Sequence, residues 1–478
     1  MFAKWKSRAA YALLTLAFLL TLAWIQPAYG ADPLGYAGQA FAFLQHHGLA
    51  QTRAVLEFGH LIWRPIAVVT TALSPQWAIA FTGIDFELVP LAWLIAIGAL
   101  FALIGLLLVY RTARSLSGSV AAGAGVAVLF LATNPVLTYL RSGYPYLAGA
   151  AMQILAVSMI IRPPARLKRI WLQALIIGCA LAASICFWAP YVVSVPGIVI
   201  FAFLWEDGGS LRGDRLRLTA QISAWTVCAA GLAFGLAILC NRFDSLAQIG
   251  HWVRQSSHQW SQTHRLVRLA TGLPRSLIAL QEQSIALKRI YFHDPYAPVR
   301  WTHVLVTVAW KPPLFALAMA ALGWILARTA DGRRLLIGIL CCWIPLIVFS
   351  VVIFEPGSIS RFLPGYALLF AGLGYAAKKI SWKDPAVWTL SVFFAAMIAV
   401  NISTVTPAAA EARSQNAVKR LEALHKVWKP NTVAVLLSYR DGIFKYLYVN
   451  QFGPFGRIPF HFLDAIEPGT LREYHFRQ

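Results

Sequence analysis

The sequence predicts a mainly α fold: a polytopic membrane helical bundle of about eleven transmembrane helices, with extracytoplasmic interfacial helices and a small C-terminal α/β domain. Three observations predict it. The 478-residue chain is 59% hydrophobic and only 13% charged, where soluble domains carry about 25% charged residues. Long apolar runs recur along its length, and the mean hydropathy is +0.63. Short blocks of Lys and Arg fall in alternate connections between those runs, the pattern of cytoplasmic loops.

The charge distribution excludes one class of function. A net charge of +22 would suit nucleic acid, but a phosphate-binding groove needs its cations gathered on one soluble face, and no sizeable basic soluble domain is encoded. The six cysteines, Cys179, Cys186, Cys228, Cys240, Cys341 and Cys342, lie within or at the ends of apolar runs and match no zinc spacing. There is no low-complexity segment and no solenoid-like repeat.

Each element can be justified in order. Lys4, Lys6 and Arg8 precede an apolar run from Ala9 to Ile25. This layout also suits a signal peptide, with Ala28-Tyr29-Gly30 as a small-residue cleavage site. In both cases Asp32 emerges outside. Further spans are expected near Val89–Tyr110, Val120–Leu137, Tyr146–Ile161, Ile170–Phe187, Val192–Trp205 and Leu218–Leu239. The last four are expected near Pro313–Ala327, Leu335–Phe354, Phe362–Ala377 and Val387–Thr404. With the N-terminus inside, the blocks Arg111/Arg114, Arg162/Arg166/Lys168/Arg169, Arg212/Arg215/Arg217, Arg328/Arg333/Arg334 and Lys378/Lys379/Lys383 all become cytoplasmic. Ile66 to Phe81 is apolar but broken by Ser74-Pro75-Gln76. A span there would invert every later loop, so it is expected to be an interfacial or re-entrant helix.

This places residues 1–404 in a transmembrane domain with two large outer loops, 26–88 and 241–301, and residues 405–478 in a small extracytoplasmic α/β domain. In that tail Ala412 to Trp428 has a helical pattern. Two β-rich runs then flank Arg440-Asp441-Gly442, a hairpin signal.

The candidate site residues collect on the outer face. Asp32 reads either as a helix cap before Gly35–Leu44 or as a general base whose pKa partial desolvation would raise. Glu57 and His60 are three apart and would share a helix face, with Arg64 one turn on. Two ligands fall short of a metal site unless Asp32 completes it, and a polar contact to substrate and plain interfacial structure are the other readings. The loop from Asn241 to Arg300 carries eight Lys and Arg against Asp244, Glu282 and Asp294. Long loops are largely exempt from charge bias, but Arg265, Arg268, Arg275, Lys288 and Arg289 would also attract a phosphate at headgroup level. Arg361 heads a later span, as a snorkelling anchor or as a phosphate ligand.

These features resemble the GT-C class of polytopic glycosyltransferases. The residues that carry the likeness are Asp32 with Tyr36 and Ala40, then Gly59-His60-Leu61 before a Pro. Tyr110-Arg111-Thr-Ala-Arg114-Ser-Leu-Ser-Gly118, Asn134-Pro135 and Arg361-Phe362-Leu363-Pro364 add to it. The resemblance implies transfer of a sugar from a polyprenyl-phosphate carrier on the extracytoplasmic side of a plasma membrane, such as the bacterial inner membrane. By it, Asp32 is the base for the acceptor hydroxyl, and Arg361 with cations of the 241–300 loop holds the carrier phosphate. The chain departs from the family where many members carry a second outer-loop acid; here it reads Arg141-Ser-Gly-Tyr144-Pro-Tyr146. Glu57 is the candidate substitute, and use of a divalent metal stays open because no ligand set is clearly encoded. The expected partners are a polyprenyl-phosphate-linked sugar and membrane lipid. The acceptor is not indicated, and no nucleic acid is expected. A flippase for lipid-linked glycans and a non-catalytic scaffold are the alternatives. Nearly charge-free spans argue against transport.

Overall fold

The computed structural model describes residues 2–25, 31–75, 89–164, 169–205, 212–256, 265–280, 301–354, 356–379, 383–405, 434–436 and 460–462. The apolar runs form helices close to where periodicity and length require them. The first is α1 (Phe2–Trp24), followed by three short helices, α2 (Ala31–Gln45), α3 (Leu49–Val55) and α4 (Trp63–Ala72). The bundle continues with α5 (Val89–Ser117), α6 (Val120–Leu131), α7 (Asn134–Tyr139), α8 (Tyr146–Ile161), α9 (Ile170–Phe187), α10 (Val195–Leu204) and α11 (Arg212–Cys240). After the short α12 (Leu246–Ser256), α13 (Arg265–Arg275) and α14 (Trp301–Val304) come α15 (Lys311–Ala327), α16 (Ala330–Val352), α17 (Tyr366–Ala376) and α18 (Pro385–Val405).

Seven helices among the described residues are long and apolar enough to cross a membrane. They are α1, α5, α9, α11, α15 with the π-turn before it, α16 and α18. The other four expected spans are shorter: α6, α8, the 3-10 turn Ala189–Ser194 running into α10, and α17. Burial explains the difference for two of them. All eleven residues of α17 are buried, as are fourteen of the sixteen in α8. A helix apolar all round and enclosed by other helices faces protein rather than lipid. It can therefore end within the bundle, provided that neighbours satisfy its backbone. The long helices lie outside and expose Leu13, Leu16 and Leu20 on α1, Val227, Leu232 and Leu239 on α11, and Ile344 and Val348 on α16. The chain is a multi-pass membrane protein.

Within the Ile66–Phe81 stretch the described residues carry the end of the ten-residue α4, which packs against α2 and α5, and residues 76–81 lie outside the described residues. One end of the bundle gathers basic loops: Arg114 donates to the Ser7 hydroxyl, Arg111 donates to Arg162 O at 2.8 Å, and Arg328 pairs with Asp384. In the tail, β1 (Ala434–Leu436) pairs in parallel with β2 (Phe460–Phe462), Ala434 opposite Phe460. The Arg440-Asp441-Gly442 turn and the helical pattern at Ala412–Trp428 lie outside the described residues.

Candidate active site

At the end of the bundle away from the basic loops, the chain leaves α1 and begins α2 with Asp32 in its first turn. A carboxylate there meets the positive end of the helix dipole, and Pro33 gives up only an amide that has no helical acceptor. The helix starts at Ala31, earlier than the expected Gly35, so Asp32 lies inside its first turn rather than ahead of it. Asp32 is half-buried.

One turn on is Tyr36, 4% exposed. Burial first, and then the nearby carboxylates of Asp32 and Glu57, push its phenol well above the ordinary range, so it stays neutral. Arg64 lies over its ring at 4.9 Å. The same guanidinium pairs with Glu57 and donates to Ala54 O. Glu57 is therefore engaged by Arg64. The expected shared helix face of Glu57 and His60 is also absent, because residues 58–60 form a 3-10 turn with Glu57 as its cap. His60 is buried with Nδ1 3.2 Å from Phe187 O. A carbonyl only accepts, so Nδ1 carries the proton. Its ring packs against Tyr36 at 5.1 Å and Tyr146 at 6.4 Å.

The link from α7 to α8 builds the floor. Gly143 has φ +74°, and a side chain there would press on Pro33 and Leu91. Its carbonyl accepts from Trp63 Nε1 at 2.8 Å. This turn sets Tyr144 and Tyr146 beside the start of α2. Their rings stack at 4.9 Å, and Tyr146 also meets Tyr139 at 4.8 Å and Trp188 at 4.6 Å. The Ala189–Ser194 turn is tied to this floor by the Tyr191 hydroxyl, which donates to Tyr146 O at 2.6 Å.

Arg361 closes the far side. It lies in the 3-10 turn Ile359–Gly365, with its guanidinium 3.6 Å from the Phe354 ring centroid and 5.2 Å from that of Trp188. Gly272 of α13 abuts the Pro356 carbonyl so closely that no side chain fits there. Arg275 at the end of that helix donates to Gly357 O at 3.2 Å. Both guanidiniums lie within electrostatic reach of Tyr139. Its phenol is raised by burial, and Ser360, Arg361 and Arg275 pull it back. Tyr146 lies within electrostatic reach of both Asp32 and Arg361.

The sequence-predicted residues therefore divide. Asp32, Glu57, His60 and Arg64 share one cluster, and Arg275 and Arg361 share another across the tyrosine floor. Arg265 donates instead to Val351 O and Val352 O at 2.9 and 2.5 Å, capping the C-terminal end of α16. Arg268 is half-buried on the same helix, and Lys288 and Arg289 lie outside the described residues. Among the described residues no three His, Cys, Asp or Glu side chains come together as metal ligands. Sequence reasoning missed Tyr139 and Trp188 as site residues. An aromatic-rich outer segment, Tyr139 to Tyr146, was the available signal. An open cleft of about 800 Å³ lies between α3 and α12, lined by Arg53, Phe243, Gln248, His251, Trp252 and Gln255. It adjoins this site, because Trp252 Nε1 donates to Leu56 O at 2.9 Å.

A carboxylate, an aromatic floor and two guanidiniums thus lie at one end of a helical bundle. No protein-family model matches the sequence, and no curated protein matches it. Solved structures match in fold. ArnT from Cupriavidus metallidurans in the apo state is similar at a TM-score of 0.53 and 12% identity, over 97% of this chain and 86% of that one. The same protein bound to undecaprenyl phosphate is similar at a TM-score of 0.52 and 12% identity, over 95% and 85%. The Archaeoglobus fulgidus oligosaccharyltransferase in the apo form has a TM-score of 0.45 at 13% identity, over 91% of this chain and 63% of that one. The fold is thus similar to that of ArnT over nearly the whole chain.

Proposed function

We propose that this protein is an integral-membrane glycosyltransferase that moves a sugar from a polyprenyl-phosphate carrier to an acceptor hydroxyl on the extracytoplasmic face. The observation that carries the reading is that Asp32 and Arg361 flank one aromatic floor: Arg361 lies 5.2 Å from the Trp188 ring, which packs on Tyr146 at 4.6 Å, and Asp32 lies one turn before Tyr36. The full-length likeness to a structure with undecaprenyl phosphate bound supports the donor class. The basic loops support the orientation.

In this reading Asp32 accepts the proton of the acceptor hydroxyl. The acceptor oxygen bonds to the anomeric carbon while the bond from that carbon to the phosphate oxygen breaks. The electron pair leaves with the polyprenyl phosphate, whose charge Arg361 and Arg275 stabilise. A phosphate departs as a stable anion, so the second acid that a glycosidase needs for its leaving alkoxide is not required. A single displacement inverts the anomeric centre. The tyrosines and Trp188 offer ring faces to the sugar, and neutral Tyr36 keeps its hydroxyl as a donor beside Asp32.

The test uses radiolabelled polyprenyl-phosphate sugar with the purified protein in detergent and in sealed vesicles. Transfer or hydrolysis that Asp32→Asn removes, in a variant that melts like the wild type, is the expected result. Retained turnover in that variant would overturn the assignment of Asp32, and movement across sealed vesicles without transfer would identify a flippase.

A further inference from the structure

α13 ends at Arg275, but the chain does not return to the surface there. Residues Ser276–Leu280 run into the bundle as irregular backbone, none more than 6% exposed. Non-helical backbone buried among membrane helices must find all its hydrogen bonds within the protein. Helices distant in sequence supply them. Asn134 Nδ2 donates to Arg275 O at 2.9 Å, and the Asn134 amide donates to Leu277 O at 3.0 Å. The Tyr366 hydroxyl donates to Ser276 O. Lys311 Nζ, 2% exposed, donates to Ala279 O at 3.0 Å. Asn401 on α18, fully buried, makes the most bonds. Its Nδ2 donates to Leu277 O at 2.7 Å and to Ala132 O at 2.8 Å, and its Oδ1 accepts from Ala279 N at 2.7 Å.

We propose that Asn401 is a positioning residue for the anion site. It locks the inserted arm so that Arg275, at the mouth of that arm, stays beside Tyr139 and Arg361. It thereby sets affinity for the carrier phosphate without touching it. This rests on reading Arg275 and Arg361 as the phosphate pair. The physical cause is the amide's two-sided hold: it satisfies one carbonyl and one N–H two residues apart, and ties both to the end of α6 through Ala132 O. An apolar residue takes the Asn401 acceptor from the buried Ala279 N–H and its donor from Ala132 O, leaves Leu277 O only the Asn134 amide, and the arm must shift to recover those bonds. Arg275 moves with the arm, because its own carbonyl is bonded to Asn134 in the same network.

The experiment uses the full chain in lipid nanodiscs, with Asn401→Leu and the gentler Tyr366→Phe, which removes one hydroxyl and keeps the ring. Amide hydrogen exchange across residues 271–280 should quicken by about tenfold or more in Asn401→Leu and by less in Tyr366→Phe, with α8 unchanged. Binding of undecaprenyl phosphate, followed by tryptophan fluorescence, should weaken by about tenfold. Turnover at saturating donor should stay within about twofold, so that the effect falls on KM. In an Arg275→Ala background the Asn401 effect on binding should vanish, because both act through one group. Unchanged exchange, or a binding loss of full size in that background, would overturn the inference and leave the phosphate pair standing. An Arg275→Ala variant that binds undecaprenyl phosphate as tightly as the wild type would overturn the phosphate pair and this inference with it. If Asn401→Leu does not assemble, Tyr366→Phe carries both readouts.

Discussion

The two sides of the site are built in opposite ways. In the opening segment, Asp32 to Ala72, the Glu57–Arg64 pair is held locally: Arg64 reaches Glu57 seven residues back and Ala54 ten residues back, while Arg53 donates across to Asn241 O at 3.1 Å. In the arm that follows α13, the backbone is held by side chains 32 to 141 residues away. A locally braced region keeps its charges in place however the bundle adjusts. A region braced from afar keeps its geometry only while several helices are docked together. The carboxylate side is thus expected to be robust and the guanidinium side to be sensitive to distant change.

The largest expected effect falls on the robust side. Asp32→Asn should lower turnover by about a hundred- to ten-thousand-fold, the usual contribution of a positioned base. It should leave the melting temperature in detergent near that of the wild type, as a kinetic assay beside a thermal melt would show. Glu57→Ala should do the reverse: it strands the buried Arg64 guanidinium and should destabilise the protein by about 3 kcal/mol, the low end for breaking a buried pair, since Glu57 is partly exposed. A denaturation series in detergent measures this. An Asp32-like loss of turnover in a fully stable Glu57→Gln variant would break the contrast by giving Glu57 a chemical role.

The arginines sharpen the other side. Arg361→Ala should raise the KM for the lipid-linked donor by about ten- to a hundredfold, the worth of a charged hydrogen bond, with Arg361→Lys intermediate because an ammonium lacks the planar fork. Arg265→Ala should change KM little and cost about 0.5–1 kcal/mol of stability, since its guanidinium caps a helix end. Steady-state kinetics on the pair decides whether the cations of this face act alike.

The smallest effect lies at the basic end. The Ala386 backbone N–H, 3.0 Å from the Asp384 carboxylate, holds that group below its ordinary range against a desolvation that opposes it, and Arg328 adds to the lowering. A lowered folded-state pKa contributes stability that is present above the unfolded value of about 3.9 and is lost as pH falls through the lower one. The melting difference between wild type and Asp384→Asn should therefore be constant near neutrality and shrink below about pH 4. A difference that grows on acidification would contradict this.

Much of the fold was legible because membrane helices obey length and hydrophobicity rules that act locally. Tyr146–Ile161 and Ile170–Phe187 form helices with the expected bounds. Of the Ile66–Phe81 stretch, the described part is helical as far as Ala72. Asp32 and His60 were legible as polar residues in an outer segment bordered by apolar runs. The commitment of Glu57 to Arg64 was less so, since residues 57–64 could have been one continuous helix or, as found, a 3-10 turn entering α4. Arg265 and Arg275 looked equivalent, and nothing local distinguishes a helix cap from a site cation. Asn401 and Lys311 read as isolated polar residues near the ends of apolar runs.

By itself, then, the sequence determined that this chain crosses a membrane many times, and it singled out Asp32 foremost among the polar residues between the apolar runs. Those are consequences of transfer free energy, which each segment settles with its solvent. Only the tertiary structure decided that Glu57 is engaged by Arg64, that Tyr139, Tyr146 and Trp188 form the floor, and that Asn401 holds the arm carrying Arg275. Those are consequences of hydrogen bonds and ring contacts between segments far apart in the chain, and they form only when the helices pack.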